Sequence, residues 1–201
     1  MTDRPLGTTP PGMTLPATFD TERLRFQQPS ADDAPAVFAN WATDPEVTRY
    51  LVWRPHQEVG TVTAYLASCQ TGWDKGREFT WLLRERSSRQ PIGAVAARPN
   101  GHRIEVGYVL GRRWWGQGYM TEALRRLIDE CFRHESIHRV WAYCDCENPA
   151  SARVMEKSGM IKEGKLHTWA VHPNVSSIPR DCWCYAITRD QYAQTPRPPS
   201  L

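Results

Sequence analysis

No stretch of the 201 residues approaches the roughly 18 consecutive apolar side chains that a membrane helix needs. The beginning, MTDRPLGTTPPGMTLP, has no apolar centre of the kind a secretory signal carries. Charge of one sign is also scarce: 25 Lys and Arg stand against 22 Asp and Glu, for a formal net charge of +3. That is a weak basis for binding nucleic acid through phosphate neutralisation, and the basic residues are spread along the chain. The C-x₂-C spacing of a zinc knuckle is missing. Six cysteines are present, and two C-x-C pairs, Cys144/Cys146 and Cys182/Cys184, lie in the strand-like runs VWAYCDC and DCWCYAIT. Without an export signal these are expected to be reduced thiols serving as small core residues. Together the absences predict a cytoplasmic protein with no membrane anchor, no nucleic-acid partner and no metal. There is no internal repeat and no P-loop.

What is present is a 40% hydrophobic chain of single-domain length. Pro5, Pro10, Pro11 and Pro16 predict a flexible tail over 1–18, and TPRPPSL a second, placed at 191–201, which leaves the domain at 19–190. TERLRF (21–26) reads as a first strand. Ser30 caps a helix near 31–42, with Ala34, Val37, Phe38 and Trp41 at helical spacing, and Asp44-Pro45 breaks it. A second helix is expected through 56–70. Residues 78–84 and 91–98 read as strands around an SSRQ loop, and Asn100-Gly101 is a hairpin turn leading into HRIEVGYVL. A helix follows from about 119 to 134, supported by Glu122–Arg126 and Asp129–Arg133 at i,i+4. HRVWAYCDC reads as a buried parallel strand. Asn148, Pro149 and Gly159 then bound a short helix, and strands at about 161–171 and 181–189 close the chain. Residues 102–146 therefore form a βαβ crossover.

Between that crossover's first strand and its helix lies RRWWGQGYMTEAL (112–124). A glycine turn running into a helix N-terminus offers unpaired N–H groups and the positive end of the helix dipole, which suits phosphate. A plain tight turn is the other reading. A dinucleotide fingerprint G-x-G-x-x-G/A fails, since Thr121 follows where a small third residue is needed. What remains is R-x-x-G-x-G, from Arg113 to Gly118.

That segment resembles the acyl-CoA pyrophosphate loop of the GNAT N-acetyltransferase superfamily. ENPASARVMEKSGM (147–160) is similar to the second CoA-contacting motif of the branch that contains RimJ and RimL, which acetylate ribosomal-protein N-termini. TDPEVTRYL (43–51) and TERLRF are similar to the same branch. The resemblance covers about residues 20–190. It implies an α/β (α+β) fold: a mixed, mostly antiparallel sheet with splayed central parallel strands, flanking helices, and acyl-CoA in the gap. It also implies acetyl-CoA as co-substrate and direct transfer of the acyl group to a primary amine, with no covalent enzyme intermediate and no metal. The acceptor stays open between a protein N-terminal α-amine and a small-molecule amine, as do longer acyl groups and a homodimer.

The implied cofactor-binding residues are Val109, Leu110, Arg113, Gly116, Gln117, Gly118, Tyr119, Met120 and Asn148. Direct attack requires loss of a proton from an ammonium and gain of one by the leaving thiolate. Strand alternation puts Glu105 on one side with Gly107 and Val109, opposite Ile104 and Tyr108, and the resemblance makes it the base; a solvent-facing strand residue is the alternative. His102 and Glu147 are weaker candidates. The tyrosine that many GNAT enzymes use as proton donor is replaced by Met155, and the matching group in the RimJ/RimL branch is Ser151, which is otherwise an ordinary helix-start serine. The missing tyrosine also motivates a second reading, a non-catalytic acyl-CoA-binding or regulatory module. Trp53, Trp73 and Trp169 lie outside these motifs, at an acceptor groove or a dimer interface.

Overall fold

In a computed structural model that describes residues 13–194, two short strands, β1 (Thr18–Asp20) and β2 (Leu24–Gln27), stand where a single strand over 21–26 was expected. The reason is local. The Thr21 backbone N–H donates to the Leu24 carbonyl at 2.8 Å, and the Leu24 N–H donates to Thr21 Oγ1 at 2.9 Å. A threonine side chain that bonds its own backbone competes with a strand ladder and turns the chain. The helix expected over 31–42 is present as a 3₁₀ turn (Ala31–Asp33), α1 (Ala34–Val37) and a wide turn (Phe38–Ala42), begun by a reciprocal cap between Ser30 and Asp33. Asp44-Pro45 ends that segment and also starts α2 (Pro45–Thr48), with the Asp44 side chain accepting from the Glu46 N–H at 2.9 Å. The next helix, α3, runs Val59–Asp74.

Strands β3 (Phe79–Glu85), β4 (Pro91–Asn100) and β5 (Arg103–Leu110) form a meander. Then come α4 (Tyr119–Phe132), β6 (Arg139–Asp145), α5 (Pro149–Lys157), β7 (Ile161–Ala170), β8 (Arg180–Thr188) and α6 (Arg189–Gln194). The eight strands make one sheet in the order β1-β2-β3-β4-β5-β6-β8-β7, antiparallel except between β5 and β6. That parallel ladder covers three residue pairs, Arg103–Arg139, Ile104–Val140 and Glu105–Trp141. Beyond Glu105 the strands part, which is the expected splay.

The tail boundaries need correction. Met13 and Leu15 belong to the core, the Trp81 indole donates to the Pro16 carbonyl at 2.9 Å, and α6 continues to Gln194. Proline-rich composition does not stop an extended segment from burying its few apolar side chains. The remainder of the two expected tails, 1–12 and 195–201, lies outside the described residues. No described helix is long and apolar enough to cross a membrane.

One sheet face packs on α4 and α5 through Ile104, Val106, Val140, Ala142, Leu124, Leu127 and Met155. The other is covered over β3 and β4 by α1 and α3, through Val37, Val62, Leu66, Leu82 and Ala94. Gly93 sets the closeness of β4 to β5 where the splay begins: a Cβ there would sit 2.4 Å from the Val109 carbonyl oxygen and 3.1 Å from Leu110 Cα. Backbone cannot swing aside as a side chain can. Gly93→Ala is therefore expected to cost about 2 kcal/mol and lower the thermal midpoint by about 6 °C. A melt within about 1 °C of wild type would show that β5 yields freely here.

Candidate active site

The splay opens into a cavity of about 810 Å³. At one end lie Gly116, Gly118, Tyr119, Met120 and Thr121, the start of α4. Both glycines take left-handed backbone, φ +74° at Gly116 and +82° at Gly118, which other residues adopt only with strain. A Cβ at Gly116 would meet no protein atom within 4 Å, so the turn faces open space. The first N–H groups of α4 have no partners within the helix, and its fourteen residues align their dipoles behind them. The turn is braced from outside. Arg23 donates to the Gln117 carbonyl at 2.9 Å, stacks on the Tyr119 ring at 4.4 Å and pairs with Glu122 at 2.6 Å. Gln117 Nε2 donates to the Arg113 carbonyl at 2.9 Å. This donor set and open cradle fit a diphosphate. Arg113 and Gln117 are exposed and do not line the cavity.

The middle of the cavity is walled by Gly107, Tyr108, Val109 and Leu110 of β5 and by Asn148, Ser151 and Val154 of α5. Asn148 caps α5, its Oδ1 accepting from the Ser151 N–H at 3.1 Å. Ser151 Oγ lies 2.7 Å from the Tyr108 hydroxyl, which also donates to the Ser151 carbonyl at 3.1 Å. Burial raises the pKa of that phenol. Met155 is fully buried and offers no hydroxyl.

Glu105 lines the cavity on the far side, 14% exposed, with Oε1 3.8 Å from Arg98 Nη1. Arg98 also holds Glu78 at 2.9 Å, so two carboxylates share one guanidinium. The weaker candidates lie elsewhere. His102 is exposed in the β4–β5 hairpin, and Glu147 pairs with Arg180 at 3.0 Å on the surface. Trp53 lines the cavity beside Tyr50 and Leu51. Trp169 is 40% exposed and packs on Trp141 and Tyr143, the last of which reaches the cavity. Trp73 is not at a groove: it packs on Phe79 and Trp81 and donates to the Thr80 carbonyl at 2.8 Å.

Below the gap, Asp145 ends β6 with its side chain wholly buried. It accepts from Arg180 at 2.6 and 3.1 Å and from the Glu147 N–H at 2.8 Å. Burial works to raise its pKa, but these hydrogen bonds outweigh it and hold the carboxyl below its usual range. His172 Nε2 lies 3.6 Å away from the same carboxylate, on a buried ring that lines the cavity and whose pKa burial lowers. Cys144 and Cys182 are buried in their strands, and burial pushes both thiols up to about 12. No cluster of three or more His, Cys, Asp or Glu suited to a metal occurs among the described residues.

Tyr108, Arg98, Arg23 and the Asp145–Arg180 pair are the site residues that sequence reasoning missed. Tyr108 had been read only as an apolar position in an alternating strand. The one available hint for Arg23 was TERLRF, already similar to the RimJ/RimL branch.

A family model for an acetyltransferase (GNAT) domain matches residues 23–161. An uncharacterised N-acetyltransferase, p20, of Bacillus licheniformis is 30% identical over 180 residues, 88% of this chain and 98% of that protein. The [ribosomal protein uS5]-alanine N-acetyltransferase of Escherichia coli is 31% identical over 94 residues, 45% of this chain and 48% of that protein. Among solved structures, the microcin C7 self-immunity acetyltransferase MccE, in complex with acetyl-CoA and AMP, aligns with a TM-score of 0.76 at 16% identity, covering 84% of this chain and 93% of that one. The fold, the glycine turn at α4 and these matches agree: the chain belongs to the GNAT acetyltransferase family and is an N-acetyltransferase.

Proposed function

We propose that acetyl-CoA lies along the cavity with its diphosphate on the turn at 116–120 and its thioester between Glu105 and Ser151, where a primary amine attacks it directly. The observation that carries this reading is the continuity of one cavity from the α4 N-terminus, through the β5–β6 gap, to both side chains. The main-chain N–H of Val109 or Leu110 polarises the thioester carbonyl, a role that depends on backbone placement alone. Asn148 keeps α5 in register and offers its remaining amide hydrogens to the pantetheine arm. Glu105 takes a proton from the incoming ammonium, directly or through water, and Ser151 returns one to the leaving sulfur.

For the acceptor we propose a protein N-terminal α-amine. The E. coli relative is named for acting on such a group, and the acceptor half of the cavity is lined by Tyr50, Trp53, Glu78 and Glu105. The test is CoA release with acetyl-CoA and a panel of N-terminal peptides, polyamines and amino acids, beside a CoA titration. Turnover with peptides above the small amines supports the assignment. Turnover with small amines alone moves the acceptor to a metabolite. CoA binding with no turnover on any amine marks a non-catalytic acyl-CoA module, the reading that Met155 invites.

Glu105→Gln is expected to lower kcat/KM for the amine by about 10- to 100-fold at neutral pH while CoA affinity stays within about twofold. Unchanged turnover would confine Glu105 to its pairing with Arg98.

A further inference from the structure

Tyr108 comes from β5 and reaches across the opened gap to the first turn of α5, at the level where the parallel ladder has ended. Its hydroxyl faces two oxygens of one residue, Ser151 Oγ at 2.7 Å and the Ser151 carbonyl at 3.1 Å. A serine hydroxyl has one proton. If Ser151 donates it to Tyr108, none is left for a third group; if it accepts from Tyr108, its own proton goes to a third group, either the Cys144 thiol beside it or a sulfur lying in the gap. The phenol has a single proton: given to Oγ it exchanges the 3.1 Å bond to the carbonyl for the shorter 2.7 Å bond, and β5 stays tied to α5 either way. We propose that Tyr108 is a positioning residue for Ser151, donating to its oxygen so that the serine proton points into the gap toward the leaving sulfur. This rests on the reading of Ser151 as proton donor.

The step balances as follows. The amine nitrogen forms a bond to the thioester carbon, the C–S bond breaks with its electron pair on sulfur, and sulfur takes the proton of Ser151 Oγ. The nitrogen sheds two protons between ammonium and amide, one to Glu105 or water before attack and one that refills Ser151 Oγ. While Oγ carries partial negative charge, the Tyr108 O–H bond to it strengthens. The phenol can play this part because it stays protonated: desolvation, with Cys144 and Tyr185 close by, holds its pKa above the ordinary tyrosine value. It is a lasting donor and a poor acid, which separates its role from that of Ser151. Met155 is fully buried and gives α5 no hydroxyl one turn beyond Ser151, and Tyr108 brings one in from the facing strand.

The experiment is a double-mutant cycle on Tyr108→Phe and Ser151→Ala, read as kcat with the best amine and as CoA affinity by titration. Tyr108→Phe should lower kcat by about 10- to 100-fold with CoA affinity within about twofold, the loss expected for one hydrogen bond to a developing charge. The double variant should be no slower than Ser151→Ala alone, because Tyr108 acts through Ser151. Losses that multiply, a matching loss of CoA affinity, or a wild-type rate for Tyr108→Phe would each overturn the proposal. A slow Ser151→Ala beside a normal Tyr108→Phe removes only the positioning role. A normal Ser151→Ala removes the donor reading and this one with it.

Discussion

Ser151→Ala should reduce kcat by about 100-fold or more, with CoA affinity within about threefold of wild type. The argument is one of protonation. A CoA thiolate expelled into a cavity walled by Val109, Leu110 and Val154 leaves a charge in poorly solvated surroundings, and Ser151 Oγ is the hydroxyl from α5 that faces the gap. The N-cap survives the change, because Asn148 Oδ1 bonds the backbone N–H of residue 151 and not its side chain. Binding and turnover should therefore separate. Steady-state kinetics and a CoA titration on the same preparation check this. Equal losses in both would make Ser151 a helix or cofactor contact only. A loss of less than about threefold in kcat would point to water as the proton source.

The second large effect is on stability. Asp145→Ala is expected to destabilise the fold by about 3 kcal/mol, because it removes the carboxylate from a buried pair and leaves the Arg180 guanidinium with only the surface carboxylate of Glu147. It also strips the Glu147 N–H of its acceptor at the end of β6, one residue before the cap of α5. Acid should reproduce part of this loss in the wild type. The carboxyls of Asp145 and Asp181 both titrate below their usual range, Asp181 at about 2 through hydrogen bonds from Lys165 and the Thr168 N–H. A depressed folded-state pKa contributes stability above the unfolded value, about 3.9, that is lost as pH falls through the folded value. Thermal midpoints should thus hold steady from pH 7 to about pH 4.5 and fall between about pH 4 and pH 2. Asp145→Ala should show a lower midpoint at pH 7 and a shallower acid limb. A midpoint within about 2 °C of wild type at pH 7 would mean that Arg180 finds equivalent partners elsewhere.

Features whose causes lie within a few residues were legible. The Gly116–Gly118 turn and the amphipathic helix after it, the Asn148-Pro149 start of α5 and Gly159 at its end follow from backbone preference and capping, and they occur where the sequence indicates. The alternation along β5 placed Glu105 on a different side from Ile104 and Tyr108, as observed. The strand over 21–26 was misjudged because a single side chain, Thr21, redirects the backbone. The tail boundaries were misjudged because proline content says nothing of whether Met13 and Leu15 find a core to enter. Trp73 reads from sequence as a ring at an acceptor groove or a dimer interface and packs on Phe79 and Trp81 instead, because counting tryptophans does not tell a core ring from a surface one.

Taken alone, the sequence determined the order of strands and helices from α3 to β8 and the glycine turn at an α-helix N-terminus, since periodicity and chain reversal are local properties of the backbone. Its motifs also pointed to a GNAT chain. Only the tertiary structure decided which distant side chains meet: Tyr108 with Ser151 across 43 residues, Arg23 with Glu122 across 99, Arg98 with Glu78 and Glu105, and Asp145 with Arg180. The parting of β5 from β6 after three pairs is likewise a property of the assembled sheet. Hydrogen-bond geometry between residues far apart in the chain has no signature in local pattern, so the acid–base surroundings of the gap became readable only once the sheet had brought β5 and α5 together.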